Sequence, residues 1–334
     1  MKSIKQSLPD IDVVDSQLKS ILEGDLPKFI KATQDTRARV KSSLLFALTS
    51  IAFLVALSVF LYLSGVNYET WPSKFIIMLA LLWATVLLIS GRSWFMNTQL
   101  LAREINMALV PVFGALFDRQ FLYTHNRGDT STIKSLLSDS SLMTDKDITI
   151  GADDSYQSFG EQPVDFHELT VTSKQPRGPK GESRDVLVFK GLFMVATLPK
   201  SHNAETYITT DNDRSGFANR SFWSDLLEHG KVKETVLEWN DFEEDLHVAT
   251  DNPSIAREIL NPEFMQDLHT WWLEHKLDIR ISFKQDKLYL LIPETTISIS
   301  TTTSSERLSA IKHYATSLAK PMWRGFLLVE DASK

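Results

Sequence analysis

The stretch DFEEDLHVATDN, residues 241–252, puts five carboxylates, a histidine and an asparagine within twelve residues. These are the donor types that hold hard divalent cations or exchange protons with a substrate. What they can do depends on the backbone that carries them. As an extended strand, Phe242, Glu244 and Leu246 face one way while Glu243, Asp245 and His247 face the other. Counted from Phe242, only two carboxylates then share a side with His247. Asp251 and Asn252 follow it, where a turn and the cap of a helix starting at Pro253 account for them without an ion. Glu243, Asp245, His247 and Asp251 stand as the candidate surface for binding or acid–base work.

Other motifs fall short of their chemistry. HELTV offers His167 and Glu168 but places Val171 where a zinc protease has its second histidine. DNDRSG, residues 211–216, fits the first six positions of a calcium loop, yet Phe222 occupies the twelfth, where a bidentate glutamate is required. RGPKGESR lacks the spacing of a phosphate-binding loop, and there is no Gly-x-Ser-x-Gly elbow. His269 and His275 are six residues apart, a rotation of about 240° on a helix, so they do not share a metal. The chain has no cysteine, which excludes disulfides, thiolate metal sites and cysteine nucleophiles. No metal or cofactor is expected on these grounds.

The firmest signal is hydropathy. Residues 42–66, SSLLFALTSIAFLVALSVFLYLSGV, run without a charge for longer than the roughly 20 helical residues that cross a bilayer. Residues 75–91, FIIMLALLWATVLLISG, form a second uncharged run, with Trp71, Lys74, Arg92 and Trp94 as interfacial anchors. Two spans form a hairpin across the loop NYETWPSK. Lys31, Arg37, Arg39 and Lys41 precede the first span and Arg92 and Arg103 follow the second, so the positive-inside rule puts both termini in the cytoplasm. Neither span holds an ionisable residue to mark a transport path. The bilayer is one expected partner, and an oligomer is compatible with the pattern.

Beyond the hairpin, apolar positions from Leu100 to Leu116 predict a helical stalk that Pro111 should kink or end. A serine-rich connector with one short helix leads to strands beginning at DITIG. In PVDFHELTVTS the apolar phase slips once, and Gly191 predicts a bulge or a close approach in DVLVFKGLFMVATL. Asn252 and Asn261 each precede a proline and predict helices starting at Pro253 and Pro262, the second with Phe264, Met265, Leu268 and Trp272 on one face. Ile279, Ile281 and Phe283, then Leu288, Leu290 and Ile292, predict a hairpin turning near Gln285 and Asp286. The Ser/Thr-rich stretch around residues 296–305 leads into a terminal helix with Ser305 as cap. Residues 92–334 carry 26 Lys and Arg against 35 Asp and Glu, a net charge of −9, which argues against nucleic acid as a partner.

Three segments carry a family resemblance: VFKGLFMVATLPK (188–200), VLEWNDFEEDLHVATDNPSIAREILNPEFMQDL (236–268) and ISFKQDKLYLLIP (281–293). In this order behind an apolar hairpin they resemble the bacterial membrane family called domain of unknown function 3137. The matching residues are Phe189 to Phe193, then Phe242, Glu243, Val248, Asp251, Ala256, Arg257, Ile259 and Leu260, and then Pro262, Met265, Ser282, Phe283, Leu288 and Tyr289. The tract after Pro293 departs from that pattern. The resemblance implies a bacterial inner-membrane location and, by family association alone, a LemA-like membrane partner. It implies no activity.

The expected fold class is α+β: an N-terminal two-helix transmembrane hairpin, then a cytoplasmic domain with a mainly antiparallel sheet and flanking helices. The expected segments are 1–41 cytoplasmic, 42–91 membrane, 92–140 juxtamembrane helix and linker, and 141–334 the cytoplasmic domain. The expected function is a membrane-anchored domain that binds a protein partner or ligand at the inner face of the membrane. The alternative is a hydrolase-type enzyme that uses carboxylates and the histidine of residues 241–252 on a membrane-proximal substrate.

Overall fold

From Ile11 to Phe117 the chain forms two long helices, α1 (Ile11–Leu63) and α2 (Ser73–Phe117). The structure is a computed structural model. It describes residues 8, 11–63, 73–125, 130–143, 147–177, 182–210, 222–229, 231–237, 239–276, 278–293 and 307–334. The chain divides into two units, one of residues 22–109 and 299–311, the other of residues 1–21, 110–298 and 312–334.

In the first unit Thr36 Oγ1 donates to Glu104 Oε1 at 2.7 Å, and Asn97 Nδ2 donates to Ser43 Oγ at 3.4 Å. Seven residues forward on α1 match seven backward on α2, so the helices pair antiparallel in a heptad register. Thr36, Ser43 and Ser90 are buried, and such small side chains let helix backbones approach closely. The large apolar side chains point outward: Phe53 is 67% exposed and Leu88 72%, with Phe46, Phe60, Leu81 and Phe95 also exposed. Val40, Leu54, Leu101 and Ile105 are buried as well, yet the outward Phe and Leu side chains leave more apolar surface displayed than a helix pair built for water shows. Both helices contain stretches long and apolar enough to cross a membrane, Thr33–Phe60 in α1 and Ala80–Phe117 in α2.

Residues 42–63 of the first expected span and the whole of 75–91 are thus portions of longer helices, and residues 64–72 lie outside the described residues. Pro111 does not end α2, which continues to Phe117. An interior proline costs about 3 kcal/mol. Val112, Phe113, Leu116 and Phe117 are all buried just beyond it, and each such burial stabilises by about 1.5–3 kcal/mol, so packing outweighs the break.

The second unit is built on one antiparallel sheet. Its strands are β1 (Gln120–His125), β2 (Ile148–Phe159), β3 (Val164–Arg177), β4 (Glu182–Thr210), β5 (Lys233–Glu234), β6 (Leu246–Thr250) and β7 (Arg280–Pro293). The order is β1-β2-β3-β4-β6-β5, with β7 along the other edge of β4. The helices are α3 (Ser131–Ser140), α4 (Phe222–His229), α5 (Asn240–Asp245), α6 (Pro253–Ile259), α7 (Pro262–His275) and α8 (Arg307–Ala332). The α+β class with a mainly antiparallel sheet and flanking helices is therefore what the chain forms. Strand structure begins earlier than DITIG, because β1 pairs with β2 along its whole length.

Both faces of the sheet are buried, which explains the apolar phase slip. Leu169, Val171, Phe189, Phe193, Tyr289 and Leu291 pack with Ile133 and Leu137 of α3 and Phe222 and Leu226 of α4. Their strand neighbours point the opposite way: the ring of Phe166 meets Phe326 of α8 at 5.3 Å. The slip between Phe166 and Leu169 is thus a change of core, with β2 taking up the irregularity between Ala152 and Ser155. Gly191 is regularly paired with Leu169 and Pro293, and the bulge in β4 lies at Val188 instead.

The hairpin expected at Gln285 and Asp286 is not a hairpin. β7 is a single strand whose two halves pair with successive parts of β4, Phe283 with Thr206 and Leu288 with Ala196. Gln285 has φ of 58°, and β4 is irregular opposite it between Thr197 and Glu205. One left-handed residue shifts the phase, so Phe283 and Leu288, an odd number of residues apart, still face the same core.

The helices at Pro253 and Pro262 form as expected. Asn252 Oδ1 accepts from the backbone N–H groups of Ser254 and Ile255, and Asn261 Oδ1 from that of Phe264, caps worth about 1 kcal/mol each. The terminal helix runs through Pro321 to Ala332, twelve residues beyond Lys320, with Met322, Phe326 and Val329 buried. Ser305 and the Ser/Thr-rich tract lie outside the described residues.

Candidate functional site

Residues 241–252 do not form the strand their alternation suggested. Asn240–Asp245 is the helical turn α5, and only Leu246–Thr250 is strand. Burial of Phe242, which stacks on Trp239 at 5.8 Å, holds the turn. The four candidate residues consequently reach separate partners. Glu243 Oε1 accepts from the backbone N–H of Leu237. Asp245 Oδ2 lies 3.1 Å from His269 Nε2, beside the stacked ring of Trp272. His247 Nδ1 lies 3.4 Å from Glu234. Asp251 Oδ1 accepts from the backbone N–H of Glu205 at 2.9 Å. Among the described residues, no three His, Asp or Glu side chains are placed to hold one ion.

The other histidine motifs resolve similarly. His167 lies in β3, where its Nδ1 is 2.6 Å from Ser155 Oγ, with both groups buried. Burial alone lowers its pKa to about 4, so at neutral pH it is an uncharged core group. DNDRSG and the side chain of His275 lie outside the described residues.

Of the four, Asp251 borders a polar cleft. This cleft of about 650 Å³ opens where β4 and β7 are irregular, lined by Asp139, His202, Glu205, Asp251, Lys284, Lys287 and Tyr289, among others. Asp251 fixes its wall from both directions, since its own N–H donates to Glu205 O at 3.2 Å. Lys284 Nζ lies 2.9 Å from Ser141 Oγ and 3.6 Å from Glu205 Oε1, and Tyr207 Oη donates to Glu205 Oε2 at 2.9 Å.

Its electrostatics favour holding over reacting. Burial, then Asp139 and Asp286, push the Tyr289 phenol up to about 12, and burial, then Glu205, push Tyr207 higher still. Both phenols therefore stay protonated and serve as donors. Burial lowers the pKa of His202, more than Glu258 raises it. Three carboxylates interleaved with two lysines and neutral donors give a surface of mixed sign, suited to a polar, charge-patterned ligand or protein segment. Sequence reasoning missed His202, Glu205, Lys284 and Lys287. The one local signal was the polar interruption KQDK between two apolar half-strands.

His202, Glu205, Asp251, Lys284, Lys287 and Tyr289 fall within residues 187–320, which match the model of the family described as "Protein of unknown function (DUF3137)". That stretch is similar to the DUF3137 family. It runs from near the start of β4 through α7 and β7 into α8 and so includes most of the cleft, while α1, α2 and β1 to β3 precede the match. The match continues through the Ser/Thr-rich tract that departed from the expected pattern. No curated protein matches the chain. Among solved structures, that of the mycobacterial trehalose monomycolate transport factor A, TtfA, aligns at 8% identity over 62% of this chain and 88% of that one. The TM-score of that alignment is 0.29, too low to bear on fold or activity.

Proposed function

We propose that the chain is a membrane-anchored binding protein. In this reading α1 and α2 cross the inner membrane with both termini in the cytoplasm, and the sheet unit binds a protein partner or ligand there through its polar cleft. The observation that carries this reading is the helix pair, with Thr36, Ser43 and Ser90 among its buried residues and many Phe and Leu side chains displayed outward, as a nonpolar surrounding favours. The cations Lys31, Arg37, Arg39, Lys41, Arg92 and Arg103 against Lys74 support the orientation. The mixed charge and the protonated Tyr289 phenol of the cleft support binding. A LemA-like membrane protein is the partner class suggested by family resemblance.

A photoreactive side chain at the exposed position 203, on the cleft rim, tests the binding site in native membranes. Illumination should yield one discrete protein adduct, and reversing charge in the cleft with Lys287→Glu should reduce it about tenfold or more. An adduct of equal yield in the Lys287→Glu chain, or none with the unmodified cleft, would count against this surface.

A further inference from the structure

Helix α8 carries two unlike faces. Tyr314, Leu318, Met322 and Phe326 are buried within the unit. His313, Thr316, Ser317, Lys320 and Arg324, spaced three and four apart, form a separate stripe. That stripe faces a cavity of about 200 Å³, whose other walls include Leu192, Ile292, Pro293, Ile279, Trp271 and Trp272. One wall is thus cationic and hydroxylic, and the rest is apolar. Every residue of this lining belongs to the sheet unit.

The shape and charge narrow the occupant. An apolar cavity of roughly 150 Å³ already accepts benzene, so this one accommodates a chain of several methylene groups, though not the two chains of a phospholipid. No carboxylate lines it, whereas Lys320 and Arg324 both do. Lys320 Nζ pairs with Asp15 at 2.9 Å, but both are well exposed, and such pairs hold weakly. Arg324 is 5% exposed, and one terminal nitrogen reaches Glu274 at 2.5 Å. Its Nε–H is buried without an acceptor among the described residues, so the guanidinium is incompletely matched by Glu274.

We propose that this cavity binds a single-chain anionic amphiphile of medium length, of the fatty-acid type. The chain lies against Leu192, Ile292, Trp271 and Trp272, and the carboxylate faces the cations Lys320 and Arg324. This site is separate from the polar cleft.

The test uses the full chain in phosphatidylcholine nanodiscs titrated with radiolabelled decanoate, with empty nanodiscs as background. Saturable binding of about one decanoate per chain is expected. Octanoate should displace it, and decyltrimethylammonium, a cation of the same chain length, should not. Lys320→Gln should weaken binding about tenfold. Ser317→Trp, which fills the cavity from a half-buried position, should abolish it while the circular dichroism spectrum stays unchanged. Binding no greater than to empty nanodiscs, displacement by the cationic amphiphile as readily as by octanoate, or full binding in a folded Ser317→Trp chain would each overturn the assignment.

Discussion

Replacing Phe326 by alanine is expected to cost about 3–5 kcal/mol and to free α8 from the sheet. Phe326 is 1% exposed, and its ring lies 5.2 Å from Phe117, 6.1 Å from Phe121 and 5.3 Å from Phe166, with the Arg119 guanidinium 4.4 Å above it. One side chain thus joins the end of α2, β1, β3 and α8. The vacated space cannot be refilled from its neighbour in sequence. A Cβ on Gly325 would collide with Met194 Sδ and stand 3.1 Å from Phe166 Cε1, so the helix already lies as close to the sheet as its backbone allows. Hydrogen exchange of the full chain in nanodiscs checks this. Amides of α8 and the middle of β3 should exchange about a hundredfold faster or more, at about 1.4 kcal/mol per tenfold. Unchanged protection would mean that α8 is held elsewhere.

Asp278→Asn is expected to remove a pH dependence. Asp278 is buried, accepts from Thr210 Oγ1 and stands near Arg280. Burial dominates and raises its carboxyl from 3.8 to about 6. The folded state therefore binds its proton more tightly than the unfolded state does. Below about pH 4 both states are protonated, and the burial carries no charge penalty. As pH rises through 6 the folded state must hold a buried carboxylate, and stability falls. From 3.8 to about 6, at about 1.4 kcal/mol per pH unit, the loss approaches 3 kcal/mol. Asparagine keeps the acceptor for Thr210 and removes the charge. Urea titrations followed by tryptophan emission should find the Asp278→Asn chain more stable than the parent by about 2–3 kcal/mol at pH 7.5, with the two converging near pH 4. A constant offset at both pH values would place the cost of the charge on another group.

What could be read locally was read correctly. Asn252-Pro253 and Asn261-Pro262 start helices because a cap is a contact across three residues. The apolar runs in α1 and α2 needed no partner to be recognised. Errors arose where the deciding neighbour is distant. DFEED alternates like a strand, but the buried ring of Phe242 beside Trp239 makes it a helical turn. KQDK reads as a turn until β4, some ninety residues earlier, is seen to pair with both sides of it. Pro111 and Pro321 end helices by local rules, yet burial on their far sides carries α2 and α8 through. The cleft drew one residue, Asp251, from the acidic stretch and the rest from α3, β4 and β7, so no single window of sequence contained it.

Membrane anchoring with the sheet unit on the cytoplasmic side is tested most directly by cysteine accessibility, since the chain has no cysteine of its own. Single cysteines are placed at Asn67, in the loop between the two apolar runs, and at Thr270, an exposed position on α7. Intact cells are then treated with a membrane-impermeant maleimide. Asn67→Cys should be labelled before lysis and Thr270→Cys only after it, with both chains recovered in the membrane fraction. Labelling of Thr270→Cys in intact cells, or recovery of the chain in the soluble fraction, would contradict the assignment.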